Sequence, residues 1–171
     1  MKLENILRFS IVGLFLLWVI LTFPDYTPLP YLTSFFVVKF ANVFGMTAIE
    51  YGRYMIIDLN GINNIFHLSG ECAGLLLYAV FVAGTFLIPK FKTKERLVAL
   101  LFIPVLFFAN VLRIFLSVYL AKLVSVDFSL FFHDTIGQVL IFSIGIGSYL
   151  GWLKVTGNFK KEVKNGKYKE M

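Results

Sequence analysis

Four apolar runs constrain this chain more than any other feature. Ile6 to Phe23, Cys72 to Ile88, Leu97 to Leu120 and Phe128 to Trp152 carry at most one formal charge each. A hydrocarbon layer about 30 Å thick takes roughly twenty helical residues to cross. Charged residues are only 15% of the chain and hydrophobic ones 58%, with a mean hydropathy of +0.81. A soluble domain is nearer half apolar and a quarter charged. The expectation is an all-α integral membrane protein, a small polytopic bundle with about four spanning helices, forming a single transmembrane domain over 1–171.

The formal charge of +6 is not a nucleic-acid signal, because the cations are grouped. Lys2 and Arg8 flank the first run, Lys90, Lys92, Lys94 and Arg96 crowd one loop, and six lysines from Lys154 to Lys169 fill the tail. The positive-inside rule places all three groups in the cytoplasm, making 154–171 a basic cytoplasmic tail. A cleaved signal peptide competes for the first run, but Thr22-Phe23-Pro24-Asp25-Tyr26 lacks a small-residue cleavage pattern. The run is expected to remain as a span.

Pro24, Pro28 and Pro30 break the helix after it. Leu29 to Phe44 is apolar but short and contains Lys39. The N terminus and the basic loop share a side, and two crossings join them without this segment, so it reads as a re-entrant or interfacial helix. From Thr47 to Gly70 apolar continuity is lost. Asn60-Gly61 supplies the positive φ values of a tight turn, so Tyr54–Leu59 and Ile62–Leu68 read as a short extracytoplasmic hairpin. On the last run, Tyr149 and Trp152 suit the inner headgroup interface. Gly137, Gly145, Gly147 and Gly151 suit close helix contacts.

Helix rise converts spacing into depth. Cys72 lies about 24 Å above Ile88, Arg113 about 24 Å beyond Leu97, and His133 about 28 Å above Trp152. Three runs thus carry a thiol, a guanidinium and an imidazole near the outer edge of the hydrocarbon. An arginine within the bilayer usually faces the bundle interior with a partner, although one near the edge can also snorkel to headgroups. Asn110 at i−3 and Ser117 at i+4 give Arg113 a polar helix face, which suits an inward site.

Cys72 is the only cysteine. A lone cysteine is commonly a small packing group, and burial alone makes its thiol inert; a neighbouring cation or base reverses this. His67 competes with His133 for that role but lies in the polar segment. Glu71 and Asp134 are candidate supporting groups, with solvated Glu71 as the plainer alternative. A metal site would draw on Glu71, Cys72, His67, His133 and Asp134, yet no ligand spacing supports it. No phosphate loop, serine elbow or dinucleotide fingerprint appears, so no metal or cofactor is expected.

Glu71-Cys72-Ala73-Gly74, Ala109-Asn110-Val111-Leu112-Arg113-Ile114 and Phe132-His133-Asp134 together resemble the exosortase/archaeosortase family of membrane cysteine transpeptidases. The likeness covers about 68–152, the expected catalytic core, and suggests a small, archaeal-type member. Ala73 stands where many members have serine or threonine, and the additional N-terminal spans of larger members are missing. The resemblance implies catalysis by Cys72, Arg113 and His133, with Glu71, Asn110, Ser117 and Asp134 in support. It implies exported protein substrates bearing a C-terminal motif, a hydrophobic span and a basic tail. On that resemblance the thiolate would form a thioester, His133 would move protons, and Arg113 would stabilise the oxyanion. The resemblance further implies a lipid or other cell-surface acceptor for the protein, at the extracytoplasmic face of the plasma membrane. An intramembrane protease using water as acceptor and a non-enzymatic assembly subunit are the alternatives.

Overall fold

The computed structural model describes residues 10–14, 18, 28–87 and 91–164. Most of the first predicted span and the end of the basic tail lie outside them. The described part is mostly helical. Helix α1 (Leu29–Val43) starts on prolines, with Pro30 in its first turn, where a missing N–H costs nothing. It stops at Gly45, whose φ of 73° permits the left-handed cap. Gly45 N donates to Asn42 O (3.1 Å) and Met46 N to Ala41 O (2.9 Å), satisfying two terminal carbonyls.

A three-stranded antiparallel sheet follows, β1 (Ala48–Tyr51), β2 (Tyr54–Leu59) and β3 (Ile62–His67), in that order. Asn60 (φ 57°) and Gly61 (φ 87°) form the turn between β2 and β3, and the Asp58 carboxylate accepts from Gly61 N at 2.7 Å. The strand Ala48–Tyr51 goes beyond the two-stranded hairpin expected from sequence and corrects the all-α description. The Asn42 side chain secures it, donating to Ala48 O and accepting from Ala48 N, both at 3.0 Å. The inner face of the sheet, with Met55, Ile57 and Leu59, packs with Val37, Val38 and Ala41 of α1 into one apolar core.

Helix α2 (Leu75–Leu87) has 13 residues, about 20 Å of rise. The expected run from Cys72 therefore begins three residues late, because Gly74 at φ 87° breaks helical geometry. The next two segments are long and apolar enough to cross a membrane: Thr93–Leu123, 31 residues, and Val126–Gly157, 32 residues. The first comprises α3 (Thr93–Ala99), a 3₁₀ turn and α4 (Ile103–Leu123), with Pro104 in the first turn of α4. The second comprises α5 (Val126–Phe131), a π-helical turn over Phe132–Ile136, and α6 (Gly137–Lys164), which continues beyond the span. Large apolar side chains on their outer faces stay exposed, Leu101, Val139 and Ile146 among them. Such a surface suits lipid better than water.

Trp152 departs from the interfacial role expected of it. It is fully buried, packs on Phe91 at 4.9 Å between ring centroids, and donates from Nε1 to Glu95 O at 2.8 Å. That carbonyl gives the indole N–H a partner inside the bundle, so it needs no headgroup. Of the small residues on α6, Gly145 faces Leu77 and Gly151 faces Phe102 closely, while Gly147 faces open space.

Candidate active site

The sheet delivers the chain to Cys72. Leu68 N donates to Arg53 O (2.9 Å), closing the sheet, and a compact turn follows. Ser69 organises it: its Oγ accepts from Cys72 N at 3.2 Å and its carbonyl from Ala73 N at 3.0 Å. Gly74 N donates to Glu71 O (3.0 Å) and Leu75 N to Gly70 O (3.1 Å). Cys72 thus sits half-buried in a turn ahead of α2.

Helix α4 holds this turn from the other side. The Cys72 carbonyl accepts from Asn110 Nδ2 at 2.9 Å and from Arg113 Nη2 at 3.1 Å. Both donors are buried, Asn110 to 1% and Arg113 to 8% exposure. Arg113 therefore faces inward and does not snorkel. Its stem lies along Gly137, where an added Cβ would come within 3.0 Å of Arg113 Cγ. Arg113 Nε is buried without a partner.

His133 arrives on the π-helical turn, a deformation frequent at functional sites. Nδ1 pairs with Asp134 Oδ1 at 2.9 Å, which leaves Nε2 as the nitrogen available to the Cys72 thiol, and the imidazole stands near enough to that thiol to shift its titration. The Asp134 carboxylate is largely exposed. The sequence Asp134–His133–Cys72 thus sets out a carboxylate, an imidazole and a sulfur, where the first fixes the ring's tautomer and leaves its other nitrogen for the sulfur. In the turn, outside the apolar helices, the thiol is lowered from its ordinary 9 to about 7. His133 is the largest cause; burial opposes it, and Ser69 adds a smaller lowering.

The supporting candidates separate. Asn110 touches the Cys72 turn directly. Ser117 does not reach the thiol: its Oγ donates to Arg113 O of its own helix (3.0 Å), and its carbonyl accepts from Ser129 Oγ (2.7 Å), tying α5 to α4. Glu71 is exposed and lines the mouth of a groove. His67 stacks against Tyr54 on the sheet at 5.0 Å and stays out of the cluster. Among the described residues no group of three His, Cys, Asp or Glu side chains could hold a metal ion.

The groove, about 610 Å³, runs between α2 and α6 from a polar end at Glu71, Asn110, Arg113 and Gln138 along apolar walls toward Tyr149. Sequence reasoning missed Ser69, Gly137, Gln138 and Tyr78 as neighbours of the site. Ser69 alone carried a readable signal, since a serine three residues before Cys72 can cap the turn that presents it.

No curated protein and no solved structure matches the chain. The model of the transmembrane exosortase family matches residues 4–150. With more than four-fifths of its length matched, and with apolar segments long enough to span, the chain belongs to the transmembrane exosortase family.

Proposed function

We propose that the chain is a membrane-embedded cysteine transpeptidase that cleaves a C-terminal sorting signal from exported proteins and transfers them to a lipid or other cell-surface acceptor. The observation that carries this reading is the convergence on the Cys72 turn of a buried Arg113, bonded to the Cys72 carbonyl, and a His133 imidazole held by Asp134 and close enough to lower the thiol's pKa. The N-terminal run, α2 and the two long helical segments are read as the spans, α1 as an interfacial or re-entrant helix, and the sheet and Cys72 turn as facing the exterior. The lysines of the Lys90–Arg96 loop and the tail support that orientation.

Cys72 Sγ attacks the scissile carbonyl carbon, and the π electrons of the C=O move onto oxygen. Collapse of this intermediate expels the amine, which takes its proton from His133 and leaves a thioester on sulfur. The acceptor then gives its proton to His133, attacks the thioester and releases the thiolate. Arg113 supplies positive charge next to the developing oxyanion, and Asp134 keeps the imidazole oriented.

Mature C termini of exported proteins, read by mass spectrometry in cells carrying the wild-type or Cys72→Ala chain, test the proposal. The expected result is loss of the C-terminal segment and an added acceptor mass in wild type only. A free carboxylate in place of that mass identifies a protease. Identical termini in both strains overturn the enzymatic reading.

A further inference from the structure

Beside the Cys72 turn lies a hydroxyl with nothing to bond. Tyr78, one turn into α2, is half-buried as a residue, but its Oη is wholly buried and lacks a partner. A folded protein rarely leaves a buried donor unused, and an orphan of this kind calls for an explanation. Its surroundings point to one. A Cβ built on Gly74 would lie 3.3 Å from Tyr78 Oη and 3.3 Å from Asn110 Nδ2, and Asn110 Nδ2 is itself 2.9 Å from the Cys72 carbonyl. The hydroxyl also lies within electrostatic reach of Arg113, whose Nε is the second unpartnered buried donor here.

The hydrogen bonds already made narrow the possibilities. Arg113 Nη2 and Asn110 Nδ2 are committed to the Cys72 carbonyl. Each spends one N–H there and so holds the nucleophile's backbone in place. Tyr78 Oη–H and Arg113 Nε–H are buried donor atoms with no partner at all, and their side chains reach the three-residue stretch Cys72 to Gly74 from α2 and α4.

We propose that Tyr78 is a catalytic residue: its hydroxyl, together with Arg113 Nε–H, donates to the oxyanion formed when the Cys72 thiolate adds to an acyl carbon. The inference rests on the thioester chemistry proposed above. It adds a phenolic donor to the site and assigns the guanidinium two tasks, Nη2 holding the turn and Nε facing the reaction. A donor that acquires its partner only as charge develops stabilises the transition state over the ground state.

The test uses the full-length protein in detergent with two probes of its single cysteine. With p-nitrophenyl acetate, Sγ adds to the carbonyl, an oxyanion forms, and its collapse expels p-nitrophenolate and leaves S-acetyl-Cys72. With iodoacetamide, sulfur displaces iodide directly and no oxyanion forms. Tyr78→Phe is expected to slow acetylation by about 100-fold, the size typical of one lost oxyanion donor, and to leave alkylation within twofold. Its thermal midpoint should be unchanged or higher, because the lost hydroxyl had no partner. Acetylation at the wild-type rate overturns the role of Tyr78 and leaves the thioester chemistry standing. An equal fall in both rates also overturns it, since the variant would then have changed the thiol and not the oxyanion. A wild-type protein that is alkylated but never acetylated at Cys72 sinks the thioester reading and this inference with it.

Discussion

Replacing His133 with alanine tests the link between the imidazole and the thiol most directly. With His133 present the thiol titrates at about 7, so about half is thiolate at pH 7. Without it the leading cause of the lowering is gone, and burial and the Ser69 hydrogen bond pull against each other, so the thiol returns toward 9. At pH 7 that leaves about 1% thiolate, a fiftyfold loss. The more basic sulfur is intrinsically the better nucleophile, by about six- to tenfold for a hundredfold weaker acid. The net expectation at pH 7 is alkylation slowed by roughly five- to eightfold. At pH 9 the wild type is fully ionised and the variant half-ionised, so the variant should react about three- to fivefold faster. The two rate–pH curves must therefore cross, at about pH 8. Iodoacetamide labelling followed by intact mass measures both curves without ambiguity, since the chain has one cysteine. A variant whose rate still inflects near 7, or whose curve lies below wild type at every pH, would refute the reasoning.

Three further changes probe the supports of the site. Arg113→Lys removes a planar donor from the Cys72 carbonyl; a charge-assisted bond of about 1.5–3 kcal/mol translates to a roughly ten- to hundredfold slower substrate processing, and wild-type processing would contradict it. Gly74→Ala forces a left-handed φ on an L side chain and crowds Asn110 and Tyr78; it should lower stability by about 1–3 kcal/mol and slow Cys72 acetylation, both read on purified protein. Trp152→Phe leaves the buried Glu95 carbonyl without its donor, for a loss of about 1–3 kcal/mol in detergent unfolding and no change in the alkylation pH profile.

Much of the architecture was legible because membrane helices advertise themselves by continuous hydrophobicity. The segments through Leu97–Leu120 and Phe128–Trp152 carry that signal, and Asn60-Gly61 marks a turn by the positive φ it tolerates. The strand Ala48–Tyr51 was hidden: it is four residues long, and Ile49 and Tyr51 are apolar yet exposed, so no alternation separates its faces. Helix α2 was read three residues too long at its start, because Cys72 and Ala73 are as apolar as the run they precede. Only the backbone, through Gly74, divides turn from helix. Trp152 misled for another reason, since an indole satisfied by a buried carbonyl and one satisfied at a headgroup look alike in sequence.

Helix rise set Cys72, Arg113 and His133 at a common level but carried no information on rotation, and the π-helical turn supplies the rotation at His133. Ser129 on α5 bonds Ser117 of α4, and Gly137 on α6 rests on the stem of Arg113, also on α4. Residues eight apart in a regular α-helix point about 80° apart around the axis, so an unbroken helix could not keep both against α4. A π turn holds one residue more than an α turn, which takes back about 100° and brings the two anchors within about 20° of the same direction. The inserted turn is Phe132–Ile136, the stretch that carries His133. The deformation that lets the last long segment stay seated on α4 at two points is therefore also the one that sets the direction of His133. No pattern of residue types encodes it; it accompanies a serine and a glycine, eight positions apart, that face the same neighbour.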